Sequence, residues 1–132
     1  MLSHDLARRL RDLVVWQPAP GDRFIIPNKE MDDELFHIAD MTIEVHTHGS
    51  ARVVKFNGTT EWALDSIPAD AVLWLPREDQ LRDLLADRFV ALERQDEEWV
   101  VTYRKTGGNR RARSADAEDA YALAVLGEER LR

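Results

Sequence analysis

The chain has no cysteine among its 132 residues. That excludes thiolate nucleophiles, thiolate zinc sites and disulfide staples together, and it fits a reducing, cytoplasmic setting. Long apolar runs are missing too. Near the N-terminus the longest is Leu13-Val14-Val15-Trp16, too short for a signal-peptide core or a membrane span, so no membrane partner is expected. Lysine stands only at positions 29, 55 and 105, and arginine supplies the other fifteen basic residues. No Gly-rich loop ends in Gly-Lys-Ser or Gly-Lys-Thr, so the phosphate-cradling loop of nucleotide hydrolases is absent. There is no internal repeat, no low-complexity tract and no linker long enough to separate one domain from another, and residues 1–132 read as a single domain.

The charge that is present is unevenly placed. The formal net charge is −7, and residues 61–103 alone carry four positive and eleven negative side chains. Residues 104–113 carry five positive charges and no acidic one. An acidic body with one basic patch differs from the broad basic face of a nucleic-acid binder. No aromatic lies within 104–113 to stack on a base, so a nucleic-acid partner is disfavoured.

Periodicity organises the chain. Ser3 is placed to cap a helix over 3–16, with Leu6, Leu10, Leu13 and Val14 as its apolar stripe. Pro18-Ala19-Pro20-Gly21 is then the stop, because neither proline donates a helical hydrogen bond. Phe24–Pro27 reads as a short strand or a buried loop. Met41, Ile43, Val45 and Thr47 alternate with polar residues, and Gly49-Ser50 supplies a two-residue turn. A hairpin over 41–57 follows, with Ile43 opposite Phe56, Val45 opposite Val54 and Glu44 opposite Lys55. Asn57-Gly58 suggests a further turn, leading to a third strand at Thr60–Leu64 or a helical turn carrying Trp62. Residues 65–70 read as a loop, and Ala71–Leu75 as a buried strand.

Pro76 suits the first turn of a helix over 76–86, with Glu78 and Asp79 at its positive end and Leu81, Leu84 and Leu85 buried. A second hairpin spans 89–104. With Asp96-Glu97 as its tip, Leu92 faces Val101 and Val90 faces Tyr103. Gly107-Gly108-Asn109 turns into a short strand at Arg110–Arg113. Ser114 then caps a helix over 115–130 whose buried face is Ala117, Ala120, Tyr121, Ala124 and Val125. The order α-β-β-(β)-α-β-β-α predicts an α+β fold, one mainly antiparallel sheet flanked by three helices.

The phrases IADMTIEV, TEWALDSIP and LWLPREDQLRDLL resemble those of a family of short, uncharacterised proteins from high-GC bacteria, over about residues 24–126. Some members of that family carry a pilus-assembly label. The element order also resembles the small dimeric chaperones of bacterial secretion systems. Those resemblances imply a chaperone-like or regulatory role and a dimer.

Two constellations are candidates for binding chemistry. Glu44, His46 and His48 share one strand face, and two histidines at i and i+2 can ligate one metal with help from His37 or Asp40. The bland alternative is the solvated face of a hairpin, where polar residues belong. Arg104, Lys105, Arg110, Arg111 and Arg113 surround a Gly-rich turn, which suits an anion or an acidic partner. The alternative there is a solvated tip offsetting acidic neighbours. Ser3, Ser50, Ser66 and Ser114 all fall at caps or turns, and no nucleophile has an evident base. The resulting expectation is a non-catalytic protein-interaction domain with no cofactor, bound to another protein or to itself. The competing one is a small metal- or anion-binding protein or enzyme built on one of these two constellations. Elemental analysis of untagged protein is expected to show no stoichiometric zinc, nickel or manganese. One metal per chain, lost on His46→Ala, would overturn that expectation.

Overall fold

The computed structural model describes residues 1–27, 35–37, 42–48, 51–57, 66–68 and 71–130, the strands between 42 and 68 by their backbone alone. They form two compact units, one from Met1–Val14 with Pro76–Arg132 and the other from Val15–Leu75. The fold class is α+β, as expected. In place of one sheet there are three separate three-stranded ones, each antiparallel.

In the first unit, α1 runs from His4 to Arg11, and Ser3 caps it by accepting the Leu6 N–H. Leu6, Ala7 and Leu10 are buried. The helix is shorter than 3–16. The N–H groups of Leu13 and Val14 both converge on the Leu10 carbonyl, at 2.9 and 2.8 Å, and the following β-branched pair Val14-Val15 disfavours another turn. Leu13, assigned to the buried stripe, is 61% exposed. The prolines lie too far on to be what ends this helix.

Helix α2 spans Glu78–Leu85, with Arg77 in the cap position. Pro76 therefore precedes the cap instead of opening the first turn. The Arg77 backbone N–H donates to Gln80 Oε1 at 2.9 Å, which satisfies one donor at the entry. Leu81 and Leu85 are buried and Leu84 is half-buried. A 3-10 turn at Ala86–Arg88 then leads into the sheet.

Strands β7 (Phe89–Gln95) and β8 (Glu98–Lys105) meet at Asp96-Glu97. Both tip residues are left-handed, with φ of 50° and 64°, the twist a two-residue hairpin requires. Leu92 faces Val101 as expected, but Val90 does not face Tyr103. A bulge between Phe89 and Ala91 places Phe89 there instead. Strand β9 covers Gly108–Ser114, longer than 110–113, and pairs with the other side of β8. The tip before it is Thr106-Gly107, with Gly107 at φ 90°.

Helix α3 spans Ala117–Leu126, within the expected 115–130. Its cap is Asp116, which accepts the Asp119 N–H at 3.1 Å, and not Ser114, whose hydroxyl instead accepts from the Asp116 N–H at 3.3 Å. Gly127, at φ 77°, closes the helix: its own N–H reaches the Ala124 carbonyl and the Glu128 N–H reaches that of Leu123. All six residues from Ala120 to Val125 are buried, Ala122 and Leu123 beyond the expected face, whereas Ala117 of that face is only half-buried. The cause is cover on several sides, since α1, α2, β8 and β9 all pack against α3.

In the second unit, β1 (Arg23–Ile25) lies between β2 (Phe36–His37) and β6 (Leu73–Trp74). Phe24, Ile25, Ile26, Val72, Leu73 and Leu75 are buried. Trp16 stacks on Trp74 at 6.3 Å between ring centroids, and Phe24 on Phe36 at 5.4 Å. Asp22, the one buried charged residue among those described, accepts from Trp16 Nε1 at 2.9 Å and from the Ala19 N–H at 3.1 Å.

Strands β3 (Thr42–His48) and β4 (Ala51–Asn57) take the expected register: Ile43 opposite Phe56, Glu44 opposite Lys55, Val45 opposite Val54. The loop expected over 65–70 contains a third strand, β5 (Ser66–Pro68), with Ile67 opposite Val54. Pro68 ends an edge strand, where a missing donor is tolerated. Met41, the Gly49-Ser50 turn, and the alternatives weighed for Thr60–Leu64 with Trp62 lie outside the described residues.

Helices α1 and α3 run side by side with their N-termini together. The Leu2 N–H donates to Glu118 Oε1 at 2.8 Å, the Ser3 N–H to Asp119 Oδ1 at 2.7 Å, and the Met1 ammonium to Asp116 Oδ2 at 2.5 Å. One turn or more along, Arg9 pairs with Glu128. Three carboxylates thus stand between two positive helix ends. Burial acts most strongly on Asp116 and opposes its charge, yet the hydrogen bonds from the Met1 ammonium and the Asp119 N–H together hold its pKa below the ordinary value. A depressed carboxylate adds stability above its unfolded pKa, and that stability is lost as pH falls through the folded value. Asp116→Asn keeps the cap but loses the ion pair. It is expected to cost about 0.5–1 kcal/mol at pH 7 in urea melts, with the difference from wild type vanishing in acid below the usual carboxylate range. A cost unchanged by pH would contradict this assignment.

Candidate functional site

The long β8–β9 hairpin carries the basic patch. Every residue from Arg104 to Arg111 is exposed, because the hairpin continues past the α3 cap and leaves its tip uncovered. Strand alternation divides the cations. The pairs Tyr103–Arg110 and Lys105–Gly108 share the face of buried Val101 and Ala112, against which α3 packs. Arg104, Arg111 and Arg113 lie on the opposite face, level with Asn109, Thr102 and Val100. The structure therefore brings all five expected residues onto one hairpin but on two sides of it.

The partners of these cations differ from those of four other arginines, whereas Arg23, like the hairpin cations, reaches a main-chain carbonyl, that of Leu75 at 3.3 Å. Arg8, Arg9, Arg77 and Arg130 each pair with a carboxylate. Arg104 reaches the Asp87 main-chain carbonyl at 2.5 Å, Lys105 that of Gly127 at 2.9 Å, and Arg110 that of its neighbour Asn109 at 3.4 Å. Among the described residues none of the five, Arg111 and Arg113 included, forms an ion pair. Carbonyls satisfy donors without cancelling charge, so the hairpin keeps a positive potential on a chain whose net charge is negative.

Beside the hairpin lies a cleft of about 450 Å³, lined by Tyr103, Lys105, Arg110, Gly127, Glu128, Glu129 and Arg130. The Tyr103 hydroxyl donates to the Glu128 carbonyl at 3.2 Å. Burial, reinforced by the Glu129 carboxylate, raises the Tyr103 pKa above its ordinary value, so the phenol stays a neutral donor. Arg130 is engaged with Glu98 at 3.1 and 3.3 Å. Three cations and two glutamates line the cleft, Glu128 being paired with Arg9, and Tyr103 and Lys105 tie the end of α3 to the sheet across it. Sequence reasoning missed this tie. Its one legible signal was Gly127 followed by charged residues, the mark of a helix end whose carbonyls seek donors.

Glu44, His46 and His48 fall on β3 opposite Lys55, Val53 and Ala51. Their side chains, and Asp40 altogether, lie outside the described residues. His37 is exposed on β2 opposite Arg23. Among the described residues no group of three or more His, Cys, Asp or Glu is placed to hold a metal, and no helix is long and apolar enough to cross a membrane. Compared with known proteins, the chain matches no family model, no curated protein and no solved structure.

The partner pattern separates structural cations from available ones. Lys105→Met removes a charged donor from the negative end of α3 and is expected to cost about 0.5–1 kcal/mol. Arg111→Gln touches no described partner and is expected to change stability by less than about 0.5 kcal/mol. Chemical denaturation of the two variants checks both, and equal losses would refute the division.

Proposed function

We propose that this chain is a non-catalytic protein-interaction domain, chaperone-like or regulatory in role, whose contact surface is the β8–β9 hairpin and whose partner presents carboxylates. One observation carries the reading: five cations gathered on an exposed hairpin, with no carboxylate partner among the described residues. Uncompensated charge of this kind steers encounter and sets specificity. A protein partner is favoured over a nucleic acid because no aromatic lies within residues 104–113, and over a small anion because the five cations are divided between two faces of the hairpin. The resemblance to secretion-system chaperones and to the high-GC bacterial family agrees with such a role and with a cytoplasmic setting.

A second copy of the chain also qualifies as the partner, because residues 61–103 carry a net charge of −7. Sedimentation at micromolar concentration, alone and with polyglutamate, tests the reading in low and high salt. The expected result is association that weakens with salt, since screening shortens the reach of exposed charges to about 10 Å at 0.1 M. It is also expected to fall sharply in the Arg110→Gln, Arg111→Gln double variant. A monomer that ignores polyglutamate in both salts would overturn it.

A further inference from the structure

Strand β9 is the edge of its sheet, and its outer side is only partly used. In an antiparallel pair, alternate residues direct their N–H and C=O groups inward and outward. The tip places Lys105 and Gly108 in an inward pair, as it does Tyr103–Arg110 and Val101–Ala112. Asn109, Arg111 and Arg113 then face outward. The Arg113 N–H confirms the phase by donating to the Glu129 carbonyl at 2.8 Å. The Asn109 carbonyl takes only the 3.4 Å contact from Arg110. Among the described residues the Asn109 N–H and both main-chain groups of Arg111 have no partner.

The other edge of the sheet is β7, and the bulge between Phe89 and Ala91 interrupts it. Bulges blunt an edge against pairing. The β9 edge has no such break, and its guard is charge. Two copies joined symmetrically through β9 would bring Arg110, Arg111 and Arg113 against their own counterparts, and like charges opposite one another oppose pairing. The same arginines favour a strand of opposite sign. Arg111 and Arg113 are two residues apart on one face, the spacing at which alternate side chains of an added strand would meet them.

From this we infer that the outer edge of β9 binds an extended acidic segment of a protein partner by strand addition, with Asn109 and Arg111 supplying the main-chain bonds and Arg111 and Arg113 selecting carboxylates. The inference rests on the acidic-partner reading above and names how that partner is held. The Arg113 N–H bond to the Glu129 carbonyl is a main-chain bond of this kind already made on the same edge.

The test uses a capped octapeptide alternating Glu and Val, its backbone N-methylated version, and a Lys-Val peptide of equal length, titrated into the full chain by fluorescence anisotropy. The unmethylated acidic peptide is expected to bind about tenfold more tightly than the methylated one, the worth of one or two main-chain bonds. It should also slow hydrogen exchange at the Asn109 and Arg111 amides, and the Lys-Val peptide should not bind. Equal binding of the two acidic peptides would overturn strand addition and leave the acidic-partner reading standing. Binding of the Lys-Val peptide as tight as that of Glu-Val would overturn the selection by arginine. No binding of either acidic peptide would overturn both the inference and the reading it rests on.

Discussion

The first unit depends on the complete burial of α3. Six consecutive buried residues leave that helix no solvent face along most of its length, so it cannot be stable unless other elements surround it. Helices α1 and α2 and strands β8 and β9 provide the cover. Small residues at Ala120, Ala122 and Ala124 let those neighbours approach, while Tyr121 and Leu123 fill the space between them. Burying a helix this way also hides its ends, whose orphan groups must then be met by side chains. Asp116 takes the Asp119 N–H at one end, and Lys105 and Tyr103 reach the Gly127 and Glu128 carbonyls at the other.

That requirement explains how the hairpin comes to be exposed. Val101, Tyr103 and Ala112 are spent on α3, and beyond the helix end the two strands have nothing left to cover. A sheet that outruns its helix projects its tip into solvent, where arginine and glycine are at ease. The basic surface is thus a by-product of unequal element lengths, and its positive charge is retained because carbonyls, not carboxylates, satisfy its donors.

Much of this architecture was readable from the chain. Period-two alternation fixed the register of Ile43 on Phe56 and of Leu92 on Val101, since a slip of one residue would turn each strand inside out. The hairpin tip at Asp96-Glu97 and the cap at Ser3 are local chemistry and were equally plain. What could not be read was long-range. The division into three sheets depends on which strand edges meet, and β5 formed where Asp65, Pro68 and Asp70 spelled loop because β4 had an open edge. The cap on α3 fell to Asp116 because β9 runs on to Ser114, and Asp116 is also held by the Met1 ammonium, 115 residues away in sequence. The five cations were visible at once, but that none has a carboxylate partner among the described residues required the fold.

The placement of tryptophan has a consequence for optical spectroscopy. Trp99 is the only tryptophan in the first unit, where the Arg94 guanidinium lies 5.1 Å from its ring centroid. The second unit's sequence holds three, Trp16, Trp62 and Trp74, of which Trp16 and Trp74 are stacked. A lone indole beside a cation and a coupled pair of indoles differ in emission and in near-ultraviolet ellipticity. The chain therefore carries a separate intrinsic chromophore for each unit, and the order in which the two lose structure is open to direct reading without any label.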